Sequence, residues 1–235
     1  MNEAQWLSRP FFELFCDAIE LARGSKLDEP SVTARASILT VILSIEAGAN
    51  CFLDCYPMSK HLKQSIDKFS PLDKYDFLFS MRMDGTQSHF DRGSKQVQNI
   101  KEMINLRNKY VHPKPKANNV KLEEMSGNNT FSQGEKLTPQ LKIPEESSCW
   151  NGEHARCVIN AVADFLSFFL IKLCKYDSKE ATRFLSSEMI YKKSHHIFFG
   201  ESWAESLVFI RDNWKANIIF VHDDYLPIYT TQQVS

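Results

Sequence analysis

The stretch Leu106-Arg107-Asn108-Lys109-Tyr110-Val111-His112-Pro113 closes a segment of regular apolar spacing. Upstream and within it, Val97, Ile100, Met103, Ile104 and Val111 recur at the helical period of about 3.6 residues per turn, which predicts a helix from Ser94 to His112. Pro113, Pro115 and the Asn118-Asn119 pair end it. Arg107 follows Ile100 by seven residues and Ile104 by three, so it falls on the apolar stripe rather than the solvated face. A guanidinium placed there needs a partner or a cleft, because a buried unpaired charge is costly. His112 lies five residues further on, about 140° around the helix, so the two side chains can flank one groove. Proline at 113 biases His112 out of helical geometry. At a helix C-terminus, orphan carbonyls favour an imidazolium, while the Arg107 charge opposes it, a balance that suits proton exchange near neutrality.

Outward from this helix the chain reads as mainly α. A first helix is expected from Glu3 to Arg23, with Phe11, Phe12, Leu14, Phe15, Ala18, Ile19 and Ala22 on its apolar face and Gly24 as its stop. Pro30-Ser31 opens a second helix, capped by Ser31 or Thr33 and ended by Pro57 after Tyr56. Its run from Ala34 to Tyr56 has the length of a membrane span but carries Arg35, Glu46, Asn50 and Asp54, which lipid tolerates poorly. The expectation is the central helix of a soluble bundle, with no membrane partner. Residues 58 to 94 are less regular: a short helix holds Leu62, Ile66 and Phe69, another spans Pro71 to Met81, and turns fall at Asp84-Gly85 and Asp91-Arg92-Gly93.

From Pro113 to Trp150 the composition shifts to Pro, Asn, Ser, Gly, Lys and Glu, which marks a functional insertion, a small strand unit or a mobile segment. A further strong helix runs from Gly152 to Tyr176, and Asp177-Ser178 caps a shorter one reaching Met189. In the tail, Ile197 to Phe199, Leu207 to Ile210 and Ile218 to Val221 have strand composition, with a turn at Asp212-Asn213. The architecture expected is a helical bundle of four to five helices over residues 1–176, with an insertion at about 113–150. An extension over 177–235 adds a helix and short strands.

Bulk properties exclude some classes of function. Over 235 residues, 28 basic side chains against 29 acidic ones leave a net charge of −1, so any attraction to nucleic acid must be local. A hydrophobic content of 43% is enough for a real core. Met1-Asn2-Glu3 does not lead into a secretory signal. The six cysteines are scattered through apolar helical pattern, which points to buried thiols in a reducing cytoplasm. Cys149, His154 and Cys157 come near metal-ligand spacing but lack a fourth ligand, and no cofactor is expected.

Arg107 and His112 suit RNA phosphodiester cleavage. His112 would move a proton at the 2′-hydroxyl or the leaving 5′-oxygen, and Arg107 would stabilise charge on the phosphorane. Asn108 could orient a phosphate oxygen or the imidazole, and Lys109, Lys114, Lys116 and Lys121 add a local basic patch for nucleic acid. Glu46 and Asn50 share one face of the second helix, from which Glu46 could hold Arg107.

The run Leu106 to His112, after two long helices and before another, resembles the Arg-x4-6-His signature of HEPN domains over roughly residues 3 to 176. The resemblance implies an up-down bundle, commonly a homodimer, in which two facing motifs cut RNA without a metal. It also implies a setting in stress response, phage defence or a toxin-antitoxin pair, with an antitoxin or other regulatory protein as partner. Toxin members often carry a tyrosine two residues after the histidine; here that position is Lys114, a departure from the pattern that adenylylation uses. A plainer reading stands beside it. Arg107 would pair with Glu46 for stability and His112 would only end the helix, giving a non-catalytic module that binds a nucleotide, RNA or a partner protein.

Overall fold

A serine or asparagine stands ahead of several helices and explains where they begin. Ser31 accepts a hydrogen bond from the Ala34 amide at 3.1 Å and starts α2 (Val32–Asp54). Ser59 and Ser70 do the same for α3 (Lys60–Ile66) and α4 (Pro71–Arg82). Ser94 stands at the N-cap of α5 (Lys95–Val111), and Asn151 and His154 form a capping box for α6 (Gly152–Leu166). The computed structural model describes residues 4–83, 90–114, 121–125, 128–132, 136–192 and 194–226. The expected turn at Asp84-Gly85 lies outside them.

The fold is mainly helical. The first helix, α1 (Phe11–Arg23), is shorter than expected, because Gln5–Leu7 form a strand, β1, and Pro10 occupies the N-cap. Pairing with a distant strand satisfies the backbone there, which local helix propensity does not anticipate. Helix α2 is the centre of the packing, touching α1, α4, α5 and α6. By length and composition it could cross a bilayer, yet 61% of its most apolar window is buried inside the protein. Gly48 on α2 permits the close approach of α4: a Cβ there would lie 2.9 Å from the Tyr75 hydroxyl and 3.3 Å from Phe11. Tyr75 is fully buried, and its hydroxyl donates to the Ile45 carbonyl at 2.9 Å. Helix α5 packs mainly on α6 and lies also against α2 and α4. Beyond Leu166, α6 widens into a π-helical stretch over Ser167–Leu173.

The connection after α5 includes an antiparallel hairpin of β2 (Lys121–Met125) and β3 (Asn128–Ser132). It returns to the core through Ile143 and Trp150, whose indole donates to the Pro144 carbonyl at 2.8 Å. The tail holds α7 (Ser178–Leu185), β4 (Ser187–Tyr191), β5 (Ser194–Phe198) and α8 (Glu201–Trp214). A three-stranded antiparallel sheet has the order β1-β4-β5, so the N-terminal strand pairs with the C-terminal segment. The strand expected at Leu207 to Ile210 is helical, and the turn expected at Asp212-Asn213 lies inside the same helix α8. Ala204, Leu207, Val208 and Ile210 are buried along α8, which packs on α1, so tertiary burial overrides their strand composition. Ile218 to Val221 is no strand either. It is an irregular run with Ile218, Phe220 and Val221 buried and Ile219 exposed; the Phe220 carbonyl accepts from Thr182, as the Asn217 carbonyl accepts from Ser167.

Glu188 of β4 is buried and draws three groups together. Arg9 lies at 3.4 Å, Arg183 at 3.0 Å and the His195 ring at 3.1 Å. Burial pushes its carboxyl up, but the His195 and Arg183 contacts, with the Arg9 charge, outweigh this and hold it below the usual range. A carboxylate lowered on folding stabilises the protein above its unfolded pKa of about 4.3, and that contribution fades as pH falls through the lower folded value. Glu188→Gln should therefore flatten the acid limb of a stability-against-pH profile measured by denaturant unfolding. Gly48→Ala should cost about 1–3 kcal/mol through overpacking against Tyr75 and Phe11, seen as a lowered denaturation midpoint.

Candidate functional site

Arg107 sits in the last turns of α5, where the helix crosses α2. Its Nη2 lies 3.7 Å from Glu46 Oε2, and its Nη1 donates to Asn108 Oδ1 at 3.1 Å. The Nε–H is buried and meets no acceptor among the described residues. The guanidinium is therefore held loosely, with donors to spare.

Glu46 is gripped more tightly from the other side. Lys74 of α4 places its ammonium 2.8 Å from Glu46 Oε1 and donates to Asn50 Oδ1 at 3.0 Å. The Lys74 side chain is 2% exposed. Glu46 and Asn50 do share a face, as the four-residue spacing implies, but the group they hold in common is Lys74. Sequence reasoning missed this lysine. The signal was present: Lys74 follows Pro71 by three residues and precedes Leu78 by four, and both of those are buried in α4. It is the same placement of a cation on an apolar stripe that singled out Arg107. Lys74, Glu46 and Arg107 together carry two positive charges and one negative.

His112 stands at the C-cap of α5, with φ −120° and ψ 62°, and its amide donates to the Asn108 carbonyl at 3.0 Å. Its side chain lines an open groove of about 900 Å³, beside Asn108, Tyr110, Lys114, Glu145 and Trp150. Tyr110 stacks on Trp150 at 6.3 Å between ring centroids. Arg107 is not among the residues lining this groove, so Arg107 and His112 open onto different sides of α5. Asn108 touches both, lining the groove and accepting from Arg107.

The basic patch is partly neutralised. Lys109 lies 2.8 Å from Glu145, whose other oxygen is 3.2 Å from Lys136. The hydrogen bond from Lys109, followed by that from Lys136, holds the Glu145 carboxyl below the usual range against its partial burial. Lys114 lines the groove and is exposed; Lys116 lies outside the described residues, and of the Lys121 side chain nothing is described.

Among the described residues, no three His, Cys, Asp or Glu side chains converge to hold a metal. His154 belongs to the α6 capping box, and the Cys157 thiol donates to the Leu141 carbonyl at 3.8 Å. Burial pushes the Cys51 and Cys55 thiols up, to about 12 and about 11. The chain matches no family model, no curated protein and no solved structure.

Removing one partner of a buried ion pair strands the other charge. Glu46→Ala leaves the buried Lys74 ammonium with Asn50 as its remaining partner and, Glu46 itself being a third exposed, should cost about 1–3 kcal/mol in denaturant unfolding. Lys63→Ala, which breaks the exposed Lys63–Asp54 pair at 3.2 Å, should cost less than about 1 kcal/mol in the same measurement.

Proposed function

We propose that this chain is a HEPN-type domain that cuts RNA as a metal-independent endoribonuclease. The observation that carries the reading is the state of Arg107. Among the described residues, a guanidinium with five donors is anchored by one 3.1 Å hydrogen bond and a 3.7 Å ion pair, and its buried Nε–H meets no acceptor. The side chain keeps 24% of its surface exposed, and a phosphate oxygen would take up the Nη donors that Glu46 and Asn108 leave unused. The helix order supports the same reading, with the motif at the end of α5, after the long α1 and α2 and before α6.

In the reaction the 2′-oxygen attacks phosphorus and the P–O5′ bond breaks. His112 accepts the proton of the 2′-hydroxyl or returns one to the leaving 5′-oxygen, and Arg107 stabilises the charge that builds on the phosphorane. Because Arg107 and His112 open onto different sides of α5, the reading calls for a homodimer in which a phosphate sits between motifs of two copies. Purified dimer in EDTA should cleave RNA, and Arg107→Ala and His112→Ala should each lose about a hundredfold or more. Equal cleavage by all three proteins would sink the proposal.

A second reading is favoured by the Glu145 carboxylate, which takes up Lys109 and Lys136 beside the groove. In it the domain binds a nucleotide, RNA or a partner protein without cutting. RNA that binds the parent intact, and binds Arg107→Ala weakly, would select this alternative.

A further inference from the structure

We infer that Lys74 is a positioning residue for anion binding at Arg107: it holds Glu46 away and so keeps the Arg107 guanidinium from being neutralised. The inference rests on the reading of Arg107 as a phosphate ligand.

A carboxylate next to an arginine ordinarily closes a bidentate pair, two parallel hydrogen bonds that use up one edge of the guanidinium. Glu46 does not. Its Oε1 is committed to Lys74 at 2.8 Å, and its Oε2 stays 3.7 Å from Arg107 Nη2, beyond hydrogen-bond reach. Lys74 is fixed in turn by Asn50 at 3.0 Å and by its own burial, so its charge faces Glu46 with little screening by water. Stability alone gives a weak reason for this arrangement, since an apolar pair of similar volume is commonly as stable as a buried ion pair. The charge count gives a better one. With Lys74 in place the cluster of Lys74, Glu46 and Arg107 sums to +1; with Lys74 uncharged it sums to zero, and Glu46 is free to close on Arg107. Lys74 itself is too deeply buried to meet a polymer.

The test is binding of a short single-stranded RNA oligonucleotide in EDTA, read by fluorescence anisotropy across a range of NaCl concentrations. Each protein is first shown to be folded by circular dichroism. Arg107→Ala should weaken binding about tenfold and lower the log-log salt slope by about 0.7, the share of one phosphate contact on a single strand. Lys74→Met should do the same although Arg107 is intact. Adding Glu46→Gln to Lys74→Met removes the charge that would occupy Arg107, so this double variant should return to within about threefold of the parent and recover its slope. The double variant also leaves no unpaired charge between α2 and α4, which keeps the comparison open if Lys74→Met folds poorly. Parent-like binding by Lys74→Met, or a folded double variant as weak as Arg107→Ala, would overturn the inference while leaving the phosphate reading intact. Parent-like binding by Arg107→Ala would overturn the phosphate reading, and this inference with it.

Discussion

A 23-residue helix that is apolar around most of its circumference must be covered on nearly every side, and the arrangement of this protein follows from that requirement. Helices α1, α4, α5 and α6 pack around α2, and Gly48 lets Tyr75 come close enough to bond to the α2 backbone. Beyond its exposed first turn, what faces outward is a narrow stripe through Leu43, Glu46, Asn50 and Asp54. Its polar groups are matched by cations from other helices, Lys63 from α3, Lys74 from α4 and Arg107 from α5. The candidate site is thus a product of the packing: the same helix that organises the core sets the carboxylate against which Arg107 is held.

That arrangement divides the motif. The α5 periodicity turns Arg107 toward α2, while His112, released from the helix before Pro113, turns into the groove closed by Trp150. Trp150 is buried because the connection after α5 folds back onto the core, and the same connection brings Glu145 to Lys109. The groove therefore combines aromatic surface and exposed polar groups with a locally balanced charge, and Asn108 is the residue that links it to Arg107.

Much of the helical fold was legible in the chain. Ser31, Ser59, Ser70 and Asn151 cap helices, and for α6 the apolar positions also recur at the helical period, so short-range rules reach much of these segments. That Glu46 and Asn50 share a face followed from spacing as well, and the placement of His112 at a helix end from Pro113. The errors share one cause. Gln5–Leu7 is a strand because β4, some 180 residues away in sequence, lies beside it, with Trp6 opposite Met189. Leu207 to Ile210 is helical because α1 covers it, although its composition favours a strand.

The sequence by itself determined the helical class, most helix boundaries and the position of Arg107 on a stripe where a guanidinium must find a partner. Those depend on period, capping and proline, which act over a few residues. Only the tertiary structure decided which partner holds Glu46, and that Arg107 and His112 look to different sides of α5. Those outcomes depend on which helices are neighbours, and neighbours are chosen by the burial of α2 as a whole rather than by any local run of residues.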